Sequence, residues 1–308
     1  MGEITKVKTE NHEEWLKLRS QYIGGSDAAA VVGMNQFSSP YALWAEKTGK
    51  VPAFEGNLAT EVGTYLEEFV AKKFEEETGK KVRKANLSFL NSDYPWAIAN
   101  IDREIVGESS GLEIKTTSEL NLKKFKGGEY PANYYAQMTH YLAVTGKQRW
   151  YLAVLIGNRE FKTFVLDRDE AEINALMAAE AEFWERVKNN APPPVDGTQA
   201  TTETINAIYS ESTSGVADLV MYKSDLDRYM AISRQIKELE VLKEEAANRV
   251  KSYLGESGRG ECDNYRVSWT SGTRRSFDSK RFAEDHKDHD LSGYYKETST
   301  RTFRVVEK

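Results

Sequence analysis

The sequence predicts an α/β (α+β) fold, in which a mixed central sheet is flanked by helices and followed by a smaller helical and β region. Three patterns favour this class. Helical apolar spacing dominates the first 80 residues, short apolar segments separated by turns follow, and a long amphipathic helix comes after a triple proline. With 40% hydrophobic residues, the 308-residue chain has enough apolar side chains to bury a core.

Four helices are predicted before the first strand. Ser26 is suited to cap the alanine-rich helix that follows it, a proline suits the first turn of the helix at 40–47, and Gly79 is suited to end the longest one. The predicted helices cover residues 13–20, about 26–32, 40–47 and 58–78.

Strand patterns take over after residue 80. Short apolar segments are separated by turn residues, and Gly157-Asn158 is a strong hairpin signal. Strands are predicted at residues 82–90, 97–105, 111–116, 150–156 and 160–166, with helices at 134–144 and 169–188.

A boundary is predicted near residue 195, since the triple proline at 192–194 ends the preceding helix. Residues 1–195 then form the main domain, 196–224 a loosely structured connector, and 225–308 a C-terminal region. That region is predicted to hold a helix at 225–254, strands at 265–270 and 300–306, and a helix near 279–285.

The composition excludes several classes of protein. One cysteine, Cys262, supports neither an internal disulfide nor a four-cysteine zinc or iron–sulfur site. No apolar run approaches the roughly 20 residues of a membrane helix, and no apolar segment typical of a secretion signal stands at the N-terminus. A cytoplasmic protein is therefore expected. The net charge of −6 argues mildly against nonspecific coating of nucleic acid.

Two acidic residues and a lysine form the pattern with the clearest chemistry. Asp102 ends one predicted strand, and Glu113-Ile114-Lys115 lies on the next. Glu113 and Lys115 share one face because side chains alternate along a strand. If the strands are neighbours, two carboxylates and the Ile114 carbonyl form an oxygen-rich site suited to Mg²⁺ or Mn²⁺. Lys115 would orient a water, or deprotonate it if the site depresses its pKa.

The alternative is an ordinary exposed strand with alternating charges, because this spacing is common in charged proteins. Three further motifs distinguish the chain from that alternative. They are residues 15–19 (WLKLR) running into 23–28 (IGGSDA), residues 63–67 (GTYLE), and residues 134–137 (YYAQ). Together with the Asp102 motif, and in this order, they resemble the phage lambda exonuclease and YqaJ-type viral recombinase family, a branch of the PD-(D/E)XK nucleases. The resemblance covers about residues 13–190.

The resemblance implies a restriction-endonuclease-like core and a role for each matching residue. Asp102, Glu113 and the Ile114 carbonyl match the metal ligands, and Lys115 matches the catalytic lysine. Glu67 matches a helix glutamate that reaches the metal directly or through water, and Gln137 matches a glutamine that places the water or the DNA. Arg19 and Ser26 match the residues that hold the 5′-phosphate, and Tyr134 matches a tyrosine beside the site. The proline usual before the first aspartate is replaced by Ile101.

Some of these residues also have an ordinary interpretation. Glu67 lies in an acidic run typical of a solvated helix face, Gln137 suits a helix surface, and Ser26 suits a simple N-cap. Arg19 is placed to pair with Glu13 or Glu14.

The C-terminal region leaves its role open. The helix at 225–254 packs on its own domain or on the nuclease, or it mediates self-association or docking of another recombination protein. Five basic residues between 266 and 281 alternate with Tyr265, Trp269 and Phe277, a composition that suits DNA but also an ordinary core.

The resemblance implies a Mg²⁺-dependent exonuclease that resects duplex DNA from a 5′-phosphorylated end and leaves a 3′ single strand for an annealing protein. Family members form ring-shaped trimers, so a homo-oligomer is expected, in the host cytoplasm if the chain is phage-encoded. An endonuclease on the same fold and a catalytically inactive DNA-binding or adaptor module are the alternatives.

Overall fold

The computed structural model describes residues 2–296 and 300–307, and the chain divides into two compact units between Tyr209 and Ser210. Within these ranges, no helix has both the length and the apolar character needed to cross a bilayer. The helices are α1 (His12–Ser20), α2 (Gly25–Val31), α3 (Pro40–Lys47), α4 (Leu58–Thr78), α5 (Ala132–Thr145), α6 (Glu170–Lys188), α7 (Gln199–Ile208), α8 (Lys223–Leu254) and α9 (Ser279–Asp285). The strands are β1 (Ile4–Val7), β2 (Ile23–Gly24), β3 (Val82–Lys84), β4 (Ser88–Asn91), β5 (Ala97–Asn100), β6 (Arg103–Ile105), β7 (Ser110–Thr117), β8 (Arg149–Ile156), β9 (Glu160–Asp167), β10 (Arg259–Cys262) and β11 (Tyr265–Ser268).

The predicted mixed α/β class is confirmed, but the strands of the first unit form two sheets instead of one. A four-stranded sheet has the order β1-β4-β5-β2, and a five-stranded sheet has the order β3-β6-β7-β8-β9. Both are mixed, since β2 runs parallel to β5 and β7 runs parallel to β8. The predicted strands 82–90 and 97–105 each divide into two, because the chain passes from one sheet to the other within them.

Helices cover both faces of the five-stranded sheet. Val70 and Phe74 of α4 pack with Leu112 and Ile114 of β7 on one face. Met138 and Leu142 of α5 belong to the core cluster that holds the opposite-facing residues of β8. Strand β7 therefore lies between α4 and α5, which together supply three of the predicted site residues.

The first unit extends beyond the predicted boundary at 195. Helix α7 lies in the stretch expected to be a loose connector, and it packs on α3. Its Thr201 forms a buried hydroxyl–hydroxyl hydrogen bond of 2.7 Å with Ser39, while Ile205 and Ile208 pack against the aromatic cluster around Trp44. Burial of these side chains explains why the helix belongs to the first unit.

The second unit consists of α8, the β10–β11 hairpin, α9 and connecting segments. The expected strand at 300–306 is wrong, since these residues have no strand pairing. Phe303 instead makes an edge contact with Tyr229 of α8 at 5.6 Å between ring centroids. The apolar stripe of α8 is exposed at Ile236 and Leu239, and the aromatic rings of Tyr265 and Phe277 are also exposed.

Candidate active site

Asp102 lies where the chain crosses between the two sheets. Strand β6 pairs with β7 only as far as Arg103 opposite Leu112. Beyond that pair, the Ile114 N–H of β7 donates to a side chain and not to a backbone carbonyl of β6. It forms a hydrogen bond of 2.8 Å with Asp102 Oδ2. The N–H and C=O of one strand residue point to the same edge, so the Ile114 carbonyl faces the side on which Asp102 lies. The break in the predicted strand thus places two predicted metal-binding groups together, the Asp102 carboxylate and the Ile114 carbonyl.

Glu113 is buried beside them, with only 2% of its surface exposed. Its Oε1 accepts hydrogen bonds from Gln137 Nε2 at 2.7 Å and forms a 2.6 Å ion pair with Lys115 Nζ. Its Oε2 is buried and has no hydrogen-bond partner among the described residues. Burial, together with the charge of Glu113, raises the pKa of Asp102 well above its ordinary value. The buried Glu113 carboxyl group and the half-buried Asp102 carboxyl group thus lie beside the Lys115 ammonium group, and one Glu113 oxygen has no partner among the described residues.

Lys115 does not have the depressed pKa that a base would need. Burial lowers the pKa of Lys115, but the charges of Glu113 and Asp102 outweigh burial and raise it above its ordinary value. The ammonium group also lies 5.6 Å from the ring centroid of Tyr134, the tyrosine that the motif predicted beside the site. Lys115 is therefore a cationic hydrogen-bond donor in this structure.

Gln137 is a buried residue, not the helix-surface glutamine of the ordinary interpretation. Its amide nitrogen donates both to Glu113 and, at 2.8 Å, to the hydroxyl of Tyr141 one turn further along α5. Tyr141 itself is buried, and its ring packs closely on Gly25, where a Cβ atom would lie 2.4 Å from the ring. The amide is thus held in a fixed orientation towards the carboxylates.

Glu67 forms an ion pair with Arg103, a residue outside the predicted motifs. Arg103 Nη1 forms an ion pair with Glu67 Oε1 and donates to the Asp102 carbonyl at 2.9 Å. Its Nη2 donates to Glu68 at 3.2 Å. The close approach of α4 to β7 allows this contact, since a Cβ atom on Gly63 would lie 3.4 Å from Thr116.

Arg19 and Ser26 come together as the motif predicted. Arg19 Nη2 donates to the Ser26 hydroxyl at 2.7 Å, and the guanidinium lies over the ring of Trp15 at 5.4 Å. Among the described residues, Arg19 forms no ion pair or hydrogen bond with Glu13 or Glu14, the partners that the ordinary interpretation suggested. Its side chain is 36% exposed, which leaves it accessible to a ligand.

Ser26 is not the helix N-cap, because α2 begins one residue earlier and Gly24 precedes it. Asp27 caps the helix instead, since its Oδ2 accepts from the Gly24 N–H at 3.0 Å. Lys47 binds the same carboxylate at 2.9 Å, and Arg19 lies 3.7 Å from it. Burial raises the pKa of Asp27, but Lys47 and Arg19 outweigh burial and lower it, so Asp27 is ionised. The Ser26 hydroxyl does not cap the helix. It accepts a hydrogen bond from Arg19 and is exposed, so a ligand can reach it.

The donor set fits a small divalent cation. Mg²⁺ is typically held by one or two carboxylates together with waters and substrate phosphates. Asp102, Glu113 and the Ile114 carbonyl meet that requirement, and the unpartnered Glu113 oxygen lacks the positive partner that a cation would provide. No cluster of three or more histidine, cysteine or acidic side chains suited to a metal occurs within residues 2–296 and 300–307.

Three contributors were missed in the sequence: Arg103, Tyr141 and Lys47. Arg103 directly follows the first predicted metal carboxylate, but its partners lie on a distant helix. Tyr141 lies four residues after Gln137 on the same helix face, so only its spacing offered a signal. Lys47 offered none, since its contact with Asp27 spans 20 residues and two separate helices.

Comparison with known proteins finds a matching family model and a relative that is similar over nearly the whole chain. Residues 14–148 match the YqaJ-like viral recombinase domain. The chain is 36% identical over 310 residues to the uncharacterised protein YqaJ of Bacillus subtilis (strain 168), and the match covers 99% of this chain and 97% of that protein.

Two solved structures are also similar. One is an alkaline exonuclease from Laribacter hongkongensis, with 23% identity, a TM-score of 0.48, and coverage of 58% of this chain and 94% of the other. Another is a phage-related exonuclease from Haemophilus somnus 129PT, with 14% identity, a TM-score of 0.42, and coverage of 57% and 99%. The whole-length similarity to YqaJ shows the relationship, and the chain belongs to the YqaJ-like viral recombinase family.

Proposed function

We propose that this chain is a metal-dependent nuclease that resects linear double-stranded DNA from 5′-phosphorylated ends. The observation that carries the proposal is the convergence of Asp102, Glu113 and Lys115 at the middle of β7, where a buried carboxylate oxygen lacks a partner. The family's description as a viral recombinase domain supports a role in processing DNA for recombination.

Asp102, Glu113 and the Ile114 carbonyl would hold the cation, with Mg²⁺ as the expected ion and Mn²⁺ as a substitute. The bound ion would polarise the scissile phosphate and lower the pKa of water. Lys115, as an ammonium group, donates hydrogen bonds to an attacking water or to a phosphate oxygen. Gln137 holds the Glu113 carboxylate in place through a hydrogen bond of 2.7 Å and presents its amide to the same region.

Arg19 and Ser26 are proposed to bind the 5′-phosphate. A guanidinium and a hydroxyl in the first turn of a helix are well suited to a terminal phosphate, because both donate to its oxygens and the helix dipole favours negative charge. Tyr141 connects the two parts of the site, since its ring packs on Gly25 while its hydroxyl accepts from Gln137. Binding of the 5′ end beside the metal-binding carboxylates would favour resection in the 5′→3′ direction.

The product would be a 3′ single strand, and the expected partner is a single-strand annealing protein. The family resemblance implies a homo-oligomer, with a trimer as the expected form, located in the cytoplasm of a bacterial host. The net charge of −6 is compatible with this role, because Asp102 and Glu113 would be compensated by the bound cation.

The deciding experiment is digestion of duplex DNA labelled at one 5′ or one 3′ end, with Mg²⁺, beside a covalently closed circle of the same sequence. The proposal expects early release of the 5′ label, a persisting 3′-labelled strand and an intact circle. Cutting of the circle would favour an endonuclease, and no cutting of any substrate would favour a DNA-binding or adaptor module.

A further inference from the structure

Arg103 is a buried cation beside the carboxylates that would bind the metal. Only 3% of its side chain is exposed, although it carries a full positive charge. Its guanidinium contacts Glu67, Glu68 and the Asp102 carbonyl, so both terminal nitrogens have acceptors. A buried arginine with such a complete set of acceptors is held in one orientation.

The position of Arg103 in the sheet determines which helix it reaches. Arg103 lies opposite Leu112 in the antiparallel register, so the two side chains share the face that α4 covers. The preceding residue, Asp102, directs its carboxylate to the Ile114 N–H at the edge of β7. Adjacent residues of one chain segment therefore serve two purposes, with Asp102 in the cation site and Arg103 bound to α4.

The Glu67 carboxylate cannot bind the Arg103 guanidinium and coordinate a divalent cation at full strength at the same time. One of its oxygens is engaged by the guanidinium, and a divalent cation near Asp102 would be repelled by the same guanidinium. We infer that Arg103 is a positioning residue that holds Glu67 back from direct coordination and thereby lowers the affinity of the Asp102–Glu113 site for divalent cations. This inference rests on the proposed function, because it assumes that these two carboxylates bind the metal.

A double-mutant cycle on Mn²⁺ binding tests the inference without DNA or turnover. Mn²⁺ affinity would be measured by electron paramagnetic resonance on the full-length chain, for the wild type, Glu67→Gln, Arg103→Gln and the double variant. A positive charge close to a cation site lowers the affinity of that site, and removal of such a charge from a partly buried site is worth roughly tenfold. We therefore expect Arg103→Gln to bind Mn²⁺ about tenfold more tightly, because the repulsive charge is removed and Glu67 is released.

The more specific expectation is that the effects of the Glu67 and Arg103 substitutions on Mn²⁺ affinity do not add. Glu67→Gln should change the wild-type affinity less than about twofold, but it should remove most of the gain in the Arg103→Gln background. Glu68→Gln is the matched control, since Glu68 also binds Arg103 but is largely exposed, and it should leave affinity unchanged. A purely structural role for Arg103 would instead weaken Mn²⁺ binding and lower the melting temperature together.

The single variant Glu67→Gln keeps the test decisive even if Arg103→Gln fails to fold. A loss of about tenfold or more in Mn²⁺ affinity from this change alone would overturn the inference, since Glu67 would then be a direct ligand already. Asp102→Asn separates this outcome from failure of the proposed function. If wild-type protein and Asp102→Asn bind Mn²⁺ equally, the cation site itself has been assigned wrongly.

Discussion

Gln137 donates a hydrogen bond of 2.7 Å to the carboxylate of Glu113, and this contact joins α5 to the strand that carries the predicted catalytic residues. The same amide nitrogen donates to the Tyr141 hydroxyl at 2.8 Å. Both amide hydrogens are therefore used, which fixes the orientation of the side chain. A glutamine held in this way is able to keep Glu113 in place as DNA and cation bind.

The first prediction concerns this contact. Gln137→Ala should lower nuclease turnover by about 10²-fold, since groups that place reacting partners contribute on this scale. Tyr141→Phe should have a smaller effect in the same direction, because it removes only the acceptor that orients Gln137. Turnover would be measured on end-labelled linear duplex at saturating Mg²⁺. Equal activity of Gln137→Ala and the wild type would remove Gln137 from the site.

The second prediction concerns Lys115. Lys115→Ala should abolish detectable degradation of linear duplex, a loss of about 10²-fold or more, while leaving the secondary structure intact. The physical reason is the loss of the ammonium group that pairs with Glu113 at 2.6 Å. The measurement is release of label from the 5′ end, with circular dichroism to verify folding.

Lys147→Ala is the matched control for this change. Lys147 forms a similar, partly buried ion pair of 3.1 Å, but with Glu104 and not with Asp102 or Glu113. This variant should keep its activity even if it loses some stability. Full activity of Lys115→Ala would contradict the assignment of the active site.

The third prediction concerns the end of the DNA. Arg19→Ala should slow degradation of 5′-phosphorylated duplex by about tenfold, since hydrogen bonds to charged groups contribute about 1.5–3 kcal/mol. Degradation of the 5′-hydroxyl substrate should change little, so the preference between the two ends should decrease. Lys17→Ala, a loss of an exposed cation on the same helix, should leave the preference unchanged. Equal losses on both substrates would argue against a 5′-phosphate site at Arg19 and Ser26.

The bounds of several elements were predictable from local signals. Helices α3 and α4 begin and end where a proline in the first turn and Gly79 predicted, and Gly79 has the left-handed backbone (φ 71°) that suits glycine. The motifs named residues that lie in contact in the structure, although their roles stay predictions. Glu113 contacts Lys115 and Gln137, Arg19 contacts Ser26, and Asp102 accepts a hydrogen bond from the Ile114 N–H.

The division of the strands was not predictable from apolar spacing. Residues 97–105 form one apolar-rich stretch in the sequence, but the chain leaves one sheet after Asn100 and enters the other at Arg103. The two halves of this stretch, β5 and β6, pair with strands of different sheets. The spacing of apolar residues along the chain does not show which strands pair. Arg103 was missed for the same reason, because its partners lie 35 and 36 residues earlier on α4.

The fourth prediction concerns packing between α2 and α5. Gly25→Ala would place a Cβ atom 2.4 Å from the Tyr141 ring, so the ring or α2 must move. The free energy of unfolding should fall by about 1–3 kcal/mol, as is typical of an overpacked core. Turnover should also fall, because displacement of Tyr141 disturbs Gln137. Chemical denaturation and the end-labelled assay would measure the two effects.

Gly24→Ala is the matched control for Gly25→Ala. A Cβ atom there would make only ordinary contacts, at 3.6 Å from Asp27 and 3.8 Å from Arg19, and the backbone is extended with φ −91°. This variant should lose little stability and keep its turnover. Similar losses in both variants would show that α2 tolerates no added methyl group, and that Tyr141 is not the specific cause.

The last prediction concerns a buried pair that supports α5 from behind the site. His140 Nδ1 lies 2.8 Å from Glu180 Oε1, both side chains are fully buried, and His140 Nε2 donates to the Ile98 carbonyl at 3.0 Å. Burial lowers the pKa of His140, but Glu180 outweighs burial and raises it. Burial raises the pKa of Glu180, and His140 only partly opposes this. Both groups therefore bind protons more tightly in the folded protein than in the unfolded chain.

The sign of the pH dependence follows from these two shifts. The stabilisation is complete below the unfolded pKa values, and it is lost as the pH rises through the folded ones. The free energy of unfolding of the wild type should therefore decrease as the pH rises above the ordinary His140 pKa of 6.5. Glu180→Gln should flatten this dependence, because the amide still accepts a hydrogen bond but neither titrates nor raises the pKa of His140.

Urea denaturation at a series of pH values would measure the free energy of unfolding of the two proteins. The contributions of the other titrating groups cancel in the difference between them. Glu182→Gln, a change on the same helix at an exposed ion pair with Arg186, should give a curve parallel to the wild type. Parallel curves for Glu180→Gln and the wild type would show that the buried pair holds no extra proton.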